Sequence, residues 1–160
     1  SILQVTTMTD LTTTQGAIPA MSADALMAVR EFEAEALAQP QCQVKTHHVL
    51  HGGIYSRTMQ MPASSVTVGA LIKIDTTVVT SGHLTIYTGA GKVDLIGHTV
   101  TPARAGRKQI VFAHRDSDFT MLFATDAKTV EEAEAEFTDE VDMLGSHNNP
   151  ENDIVVITGR

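Results

Sequence analysis

The chain has 160 residues, a formal charge of −8 at pH 7 and one cysteine, Cys42. A chain of this length forms one domain that buries about two thirds of its unfolded surface, so its core needs no disulfide or metal. The negative charge disfavours nucleic acid as a main ligand because phosphates are repelled. A single cysteine excludes an intramolecular disulfide and suits a reducing compartment.

Targeting signals are absent from the sequence as given. Its N-terminus has no basic start followed by an apolar run, and no stretch of about 18 apolar residues occurs anywhere. We therefore expect no membrane partner. The expected location is the cytoplasm, or a virion assembled in a host cytoplasm.

The first two segments predict an arm and a helix. Residues 1–21 are rich in threonine and have no sustained period, which predicts an extended arm. A helix is predicted next, because Ser22 is a suitable N-cap and Pro40 a stop. Its apolar stripe consists of Leu26, Val29, Phe32, Ala36 and Leu37.

The middle of the chain has a β-type pattern. From Cys42 to Thr125, short runs of β-favouring residues alternate with Gly, Pro and Ser signals. About eight such runs at a spacing of about ten residues predict a sandwich or barrel of the jelly-roll type.

A second helix and a strand are predicted after the β-rich region. Thr129 and Glu132 have the spacing of a capping box, and we expect a helix with an acidic, solvated outer face. Its apolar stripe consists of Val130, Ala133, Phe137, Val141 and Leu144. The run IVVIT, residues 154–158, predicts a strand that either closes its own barrel or augments a neighbour's sheet.

Three parts of the chain follow from these segments. Residues 1–21 are the extended N-terminal arm, residues 22–144 are the helix-flanked barrel, and residues 145–160 are the C-terminal linker and strand.

The β-type runs resemble the two motifs of the cupin fold. The first run is MQMPASSVTVGALIKIDTTVVTSGHLTIYTG and the second is GHTVTPARAGRKQIVFAHRDSDFTMLFAT. With PQCQVKTHHVLHGGIYSRTMQMPA and the flanking helices, the chain is similar to small single-domain cupin-like proteins of bacteriophages and prophages, over roughly residues 26 to 140. The resemblance implies a mainly β fold: a cupin-like (RmlC-type) jelly-roll barrel with an N-terminal helix, an acidic C-terminal helix and extended terminal segments.

The metal ligands of cupins are missing at the matching positions. Metal-binding cupins carry a His-X-His pair and a Glu in the first motif and another His in the second, so that imidazole and carboxylate meet one ion. Here Ile72 and Ile74 stand where the His pair is expected, and Gln109 stands near the place of the last ligand. We therefore predict no metal, no cofactor and no catalytic residue in the barrel.

The histidines offer a weaker route to a displaced metal centre. His47, His48 and His51 share one strand and turn, and His47 and His48 must point to opposite faces. The remaining candidates fall in different runs: His83, His98 and His114. Ordinary structural histidines are the favoured interpretation.

Two further groups of polar residues have a structural and a functional interpretation. Tyr55 and Arg57 match a Tyr-X-Arg pair that is common in the resembling family, and their spacing puts them on one face of a strand. They either clamp an anionic ligand or serve the fold, with Arg57 paired to Asp75, Asp116 or Asp118. We favour the structural role. A solvated rim is the favoured interpretation of the basic concentration Arg104, Arg107, Lys108 and Arg115.

Four functions remain open. The preferred one is a non-enzymatic structural or interaction protein, a virion component such as a capsid decoration protein or a head or tail accessory subunit. Its partners are other copies of itself, in a homo-oligomer, and other virion proteins, bound through the terminal segments. The alternatives are a metal-free epimerase or isomerase with His48 or His114 as base and Tyr55 as acid, a metal-dependent cupin with displaced ligands, and a small-ligand or regulatory binding barrel.

Overall fold

A computed structural model describes residues 17–144 and 153–158 of the chain. In chain order these residues form α1 (Ala23–Leu37), β1 (Lys45–His51), β2 (Ile54–Met61), β3 (Val66–Val68), β4 (Thr76–Ser81), β5 (His83–Thr88), β6 (Gly91–Ile96), β7 (Thr99–Ala103), β8 (Ile110–Ala113), β9 (Ser117–Ala124), α2 (Val130–Phe137), a 3-10 helix (Val141–Met143) and β10 (Asp153–Ile157). None of the helices in these ranges has the length and apolar character needed to cross a membrane.

Two sheets form a jelly roll. The larger sheet has the order β10-β1-β2-β9-β4-β7, and the smaller sheet has the order β3-β8-β5-β6. Within β2-β9-β4-β7 and within the smaller sheet all neighbours are antiparallel. Most connections between β2 and β9 pass from one sheet to the other, which is the strand order of two Greek keys wound into a jelly roll. The predicted fold class is therefore confirmed.

The core lies between the two sheets. Burial alternates along β4 and β9 with the period of two that a strand imposes. Val78 and Met121 of the larger sheet and Leu84 and Ile86 of the smaller sheet belong to one buried cluster. The barrel interior is thus the hydrophobic core of the domain.

The C-terminal strand closes onto its own chain. β10 pairs in parallel with β1, and Thr158 N–H donates to Leu50 O at 3.2 Å. β10 thus extends the larger sheet of its own chain. β10 is the outermost strand of the larger sheet within the described residues, and Val155, Val156 and Ile157 are 51%, 44% and 51% exposed.

Helix α1 begins as the sequence predicts but packs loosely. Ser22 caps it by accepting a hydrogen bond from Ala25 N–H at 3.2 Å. Of the predicted apolar stripe only Val29 is buried, whereas Phe32 and Leu37 are 39% and 57% exposed. Apolar packing therefore contributes little to fixing this helix.

Helix α2 is shorter than predicted. It ends at Phe137 because Thr138 adopts an extended conformation with φ −151° and ψ 150°. The Thr138 hydroxyl donates to Leu71 O at 2.7 Å and accepts from Glu140 N–H at 3.0 Å. A threonine side chain that bonds to nearby backbone competes with the helix in this way. The last two residues of the predicted apolar stripe, Val141 and Leu144, lie in the 3-10 helix and directly after it.

The described part of the N-terminal arm runs along the barrel. Ile18 is buried and forms a bridge to Ala103, donating to Pro102 O at 2.7 Å and accepting from Arg104 N–H at 2.8 Å. The rest of the predicted arm, residues 1–16, and the predicted linker, residues 145–152, lie outside the described residues.

Candidate ligand-binding cavity

A cavity of about 1000 Å³ lies between the C-terminal half of α1 and the barrel. Strands from both sheets and helix α2 supply its apolar wall, which includes Met59, Val111, Phe119, Met121 and Phe137. A volume of several hundred Å³, up to about 1000 Å³, is typical of small-molecule sites. The cavity is therefore large enough to enclose a small organic ligand.

Two polar side chains on the wall have unused donors. Arg107 and Gln109 are two apart on an extended segment, so both side chains face the cavity. They are 1% and 7% exposed, and within the described residues Arg107 Nε and Gln109 Nε2 have no hydrogen-bond partner. A buried donor without an acceptor costs about 1 to 3 kcal/mol. A ligand that supplied an acceptor would remove this cost.

The Arg107 guanidinium carries a buried positive charge. Its Nη1 donates to Arg104 O at 2.8 Å and its Nη2 donates to Thr76 Oγ1 at 2.7 Å, both neutral oxygens. No carboxylate in residues 17–144 or 153–158 forms an ion pair with it. Burial lowers the pKa of Arg107 to about 10, and the charge of Asp75 partly opposes this. The group stays cationic at neutral pH and favours an anion beside it.

Arg57 also reaches the cavity, but its charge is balanced. Its Nη1 donates to Glu134 Oε2 at 3.3 Å, and both side chains are at least nine-tenths buried. The structural role favoured from the sequence is consistent with this pair, but the predicted partners Asp75, Asp116 and Asp118 are wrong. Glu134 points inward from α2, so the acidic face predicted for that helix is not wholly solvated.

His48 and Tyr55 form a buried pair away from the cavity wall. His48 Nδ1 lies 2.7 Å from the Tyr55 hydroxyl, and the two residues are 1% and 0% exposed. His47 is half-buried on the opposite face of β1, as predicted. His51 is exposed at the end of β1 and bonds to Thr158 Oγ1. None of His48, His114 and Tyr55 lines the cavity, so neither base nor the acid considered for an epimerase meets a ligand there.

The residues at the positions of the cupin metal ligands do not form a cluster of metal-binding side chains. Ile72 lines the cavity, Ile74 packs against the core and Gln109 is the amide described above. Across residues 17–144 and 153–158, one group of at least three metal-ligating side chains has its donor atoms close together: His83, Asp94 and His114. These residues do not line the cavity.

The solvated rim predicted from the basic residues is wrong for two of the four. Lys108 is 0% exposed and Arg107 is 1% exposed, whereas Arg104 and Arg115 are exposed. Lys108 Nζ is held by Glu33 at 2.9 Å, by Glu140 at 3.0 Å and by Gly69 O at 2.9 Å. Helix α1 brings Glu33 to the barrel and so covers the lysine, which no local pattern around position 108 indicates.

Comparison with known proteins gives similarity only at the level of solved structures. No protein-family model and no curated protein matches the sequence. A cupin superfamily protein from Desulfitobacterium hafniense is similar with a TM-score of 0.46 and 13% identity, covering 55% of this chain and 83% of its own. A RmlC-like cupin from Desulfovibrio desulfuricans gives 0.43 and 15%, covering 51% and 82%. A cupin domain from Bordetella pertussis gives 0.41 and 17%, covering 52% and 93%.

Proposed function

We propose that this chain is a cupin-like barrel whose cavity holds no metal and binds a small carboxylate ligand with an apolar body. The unpartnered donors Arg107 Nε and Gln109 Nε2 on the wall of the cavity are the main support. The apolar lining of the cavity is the second support, because it matches the apolar body of such a ligand.

A carboxylate fits these donors better than other small groups. Its two oxygens accept hydrogen bonds from a guanidinium and a neighbouring amide at once, and charge-assisted hydrogen bonds are about twice as strong as neutral ones. Its charge also offsets that of Arg107, which has no carboxylate partner among the described residues. A metal cation is disfavoured at this place because the guanidinium repels it.

Octanoate and octanol, compared by isothermal titration calorimetry, test this function. They have the same chain length, and only octanoate carries a charge. We expect octanoate to bind at least tenfold more tightly, and we expect Arg107→Met to abolish this preference. Arg104→Met is the matched control, because Arg104 is exposed and close in sequence, and it should leave the preference unchanged.

A second variant guards against loss of the fold in Arg107→Met. Gln109→Glu keeps the side-chain shape and puts an internal carboxylate beside Arg107, where the ligand's carboxylate is expected. We expect this variant to fold normally and to lose the preference for octanoate. Equal binding of octanoate and octanol by the unaltered protein, or a preference that survives in both cavity variants, would contradict the proposal.

We also propose, as a second candidate, the structural role expected from the sequence: a subunit that assembles with copies of itself, as a virion component would. The exposed apolar edge of β10 supports it, since an unpaired edge strand is a template for pairing with another chain. The occupant is a second copy of β10, because pairing across a two-fold axis places the same strand opposite itself. Light scattering that gave the mass of a monomer would contradict this candidate.

A further inference from the structure

The outer face of the smaller sheet brings together three side chains that the sequence scatters. His83 begins β5, Asp94 lies in β6 and His114 directly follows β8. Thr85 of β5 pairs with Asp94, and Leu84 pairs with Ala113, which places His114 beside His83. Because Leu84 and Ala113 face the core, their neighbours face outward.

The three donor groups converge on one small region. One ligand atom from each residue lies within 4.8 Å of the other two. The imidazole rings of His83 and His114 stack with centroids 4.0 Å apart at an interplanar angle of 19°, and Phe112 packs edge-on against His114 at 4.7 Å. Three strands of one sheet therefore hold the side chains together.

Thr85 links the carboxylate to one imidazole. Its hydroxyl donates to Asp94 Oδ1 and lies 2.7 Å from His114 Nε2. Thr85 is only 3% exposed, so the hydroxyl that contacts both Asp94 and His114 belongs to a residue buried in the sheet. A hydrogen-bond partner of this kind orients side chains that bind metals.

The charges suit a divalent cation. Asp94 places one carboxylate beside the two imidazoles of His83 and His114. Imidazole nitrogen with one carboxylate oxygen is a donor set for zinc and its neighbours in the transition series, whereas calcium and magnesium prefer oxygen alone.

We propose that His83, Asp94 and His114 form a zinc-binding site on the outer face of the smaller sheet, with the fourth position open to water. Zinc bonds of about 2.0 to 2.2 Å put tetrahedral donors roughly 3.5 Å apart. The side chains therefore close by about 1 Å, and rotation of the His83 imidazole opens the stack and turns its nitrogen to the ion, while Thr85 keeps its hydrogen bond to His114. This site lies outside the cavity and does not depend on its ligand.

Calorimetric titration of the chelator-treated full chain with zinc chloride tests the site. We expect one zinc ion per chain and no binding of calcium or magnesium. His83→Ala and His114→Ala should each weaken zinc binding at least tenfold, and the matched controls His98→Ala and Cys42→Ser should not.

Asp94→Asn separates ligation from a structural role. The amide keeps an oxygen for the Thr85 hydroxyl but loses the charge, so we expect weaker zinc binding with an unchanged melting temperature of the metal-free protein. Cobalt should give the visible absorption of a tetrahedral site, and His83→Ala combined with His114→Ala should remove it. Absence of zinc binding, or zinc binding that persists at full strength in the double variant, would overturn the proposal, whatever the result with octanoate.

Discussion

The two tyrosines of the chain occupy opposite environments. Tyr55 is 0% exposed and its hydroxyl lies 2.7 Å from His48 Nδ1, whereas Tyr87 is 44% exposed. Tyr55→Phe deletes a buried hydrogen bond without changing the ring, and we expect it to lower the free energy of unfolding by about 1 to 3 kcal/mol. Tyr87→Phe is the control and should change it by less than about 0.5 kcal/mol. Urea unfolding measures both, and equal midpoints for the two variants would show that the buried pair contributes no net stability.

Single residues show where sequence reasoning succeeds and where it ends. The position of Gln109 could be inferred from the resemblance, and the shared face of Arg107 and Gln109 follows from their spacing in a β-type run. Their unpartnered donors could not be predicted, because these depend on what the other walls of the cavity supply. In the same way Arg57 was expected to pair with an aspartate, yet Glu134 reaches it from a helix distant in sequence.

At the scale of elements, helix α1 depends on ion pairs more than on apolar burial. Glu140 accepts hydrogen bonds from Leu71 N–H at 2.8 Å and from Lys108 at 3.0 Å, and it pairs with Arg30 of α1 at 2.7 Å. Lys108 in turn pairs with Glu33 of α1 at 2.9 Å. One carboxylate and one buried lysine thus connect α1 to the rest of the domain.

The pH dependence of stability should reveal this connection. Burial acts to raise the pKa of Glu140, but the hydrogen bonds from Leu71, Lys108 and Arg30 outweigh it, and the net pKa is lowered from 4.5. A carboxyl with a lowered pKa in the folded state stabilises the fold fully above its ordinary pKa and loses that contribution as the pH falls through the folded value.

We therefore expect Glu140→Gln to be less stable than the unaltered protein at pH 7 and to lose less stability on acidification. Urea unfolding from pH 7 down to pH 3 measures this difference. Glu31→Gln is the matched control, because Glu31 is exposed on α1, and it should follow the unaltered protein throughout. Parallel pH profiles for Glu140→Gln and the unaltered protein would show that this carboxylate does not fasten the helix.

The elements were predicted unequally. The N-caps of α1 and α2 are local signals, and both are formed, with Thr129 Oγ1 accepting from Glu132 N–H at 3.2 Å. The reciprocal half of the capping box differs from the prediction, because Glu132 Oε2 accepts from Lys128 N–H at 2.8 Å and not from Thr129. The predicted end of α2 was wrong, because the Thr138 hydroxyl donates to the backbone oxygen of Leu71, a residue remote in sequence. Most of the run VTVGALIKI is a loop, with a strand only at Val66–Val68 and a single bridge at Ile72.

At the scale of the whole molecule, the jelly roll was predictable because regular β-type runs leave few other ways to bury one face of each strand. By contrast, the two candidate sites lie where separate strands or elements meet: the cavity between α1 and the barrel, and the zinc site across β5, β6 and β8. Contacts between separate elements depend on the strand register, which cannot be inferred from one sequence.

The edge formed by β10 leads to the last prediction. Thr158 N–H points to β1, and since neighbouring residues of a parallel strand point their backbone groups to alternate sides, Val155 N–H points away from β1. Val155→Pro removes that outward donor and leaves the pairing with β1 in place, so we expect it to abolish self-association through β10. Val155→Ala keeps the donor and should still associate. Size-exclusion chromatography with light scattering measures the mass of each, and an oligomer of unchanged mass in Val155→Pro would show that the chain assembles through another surface.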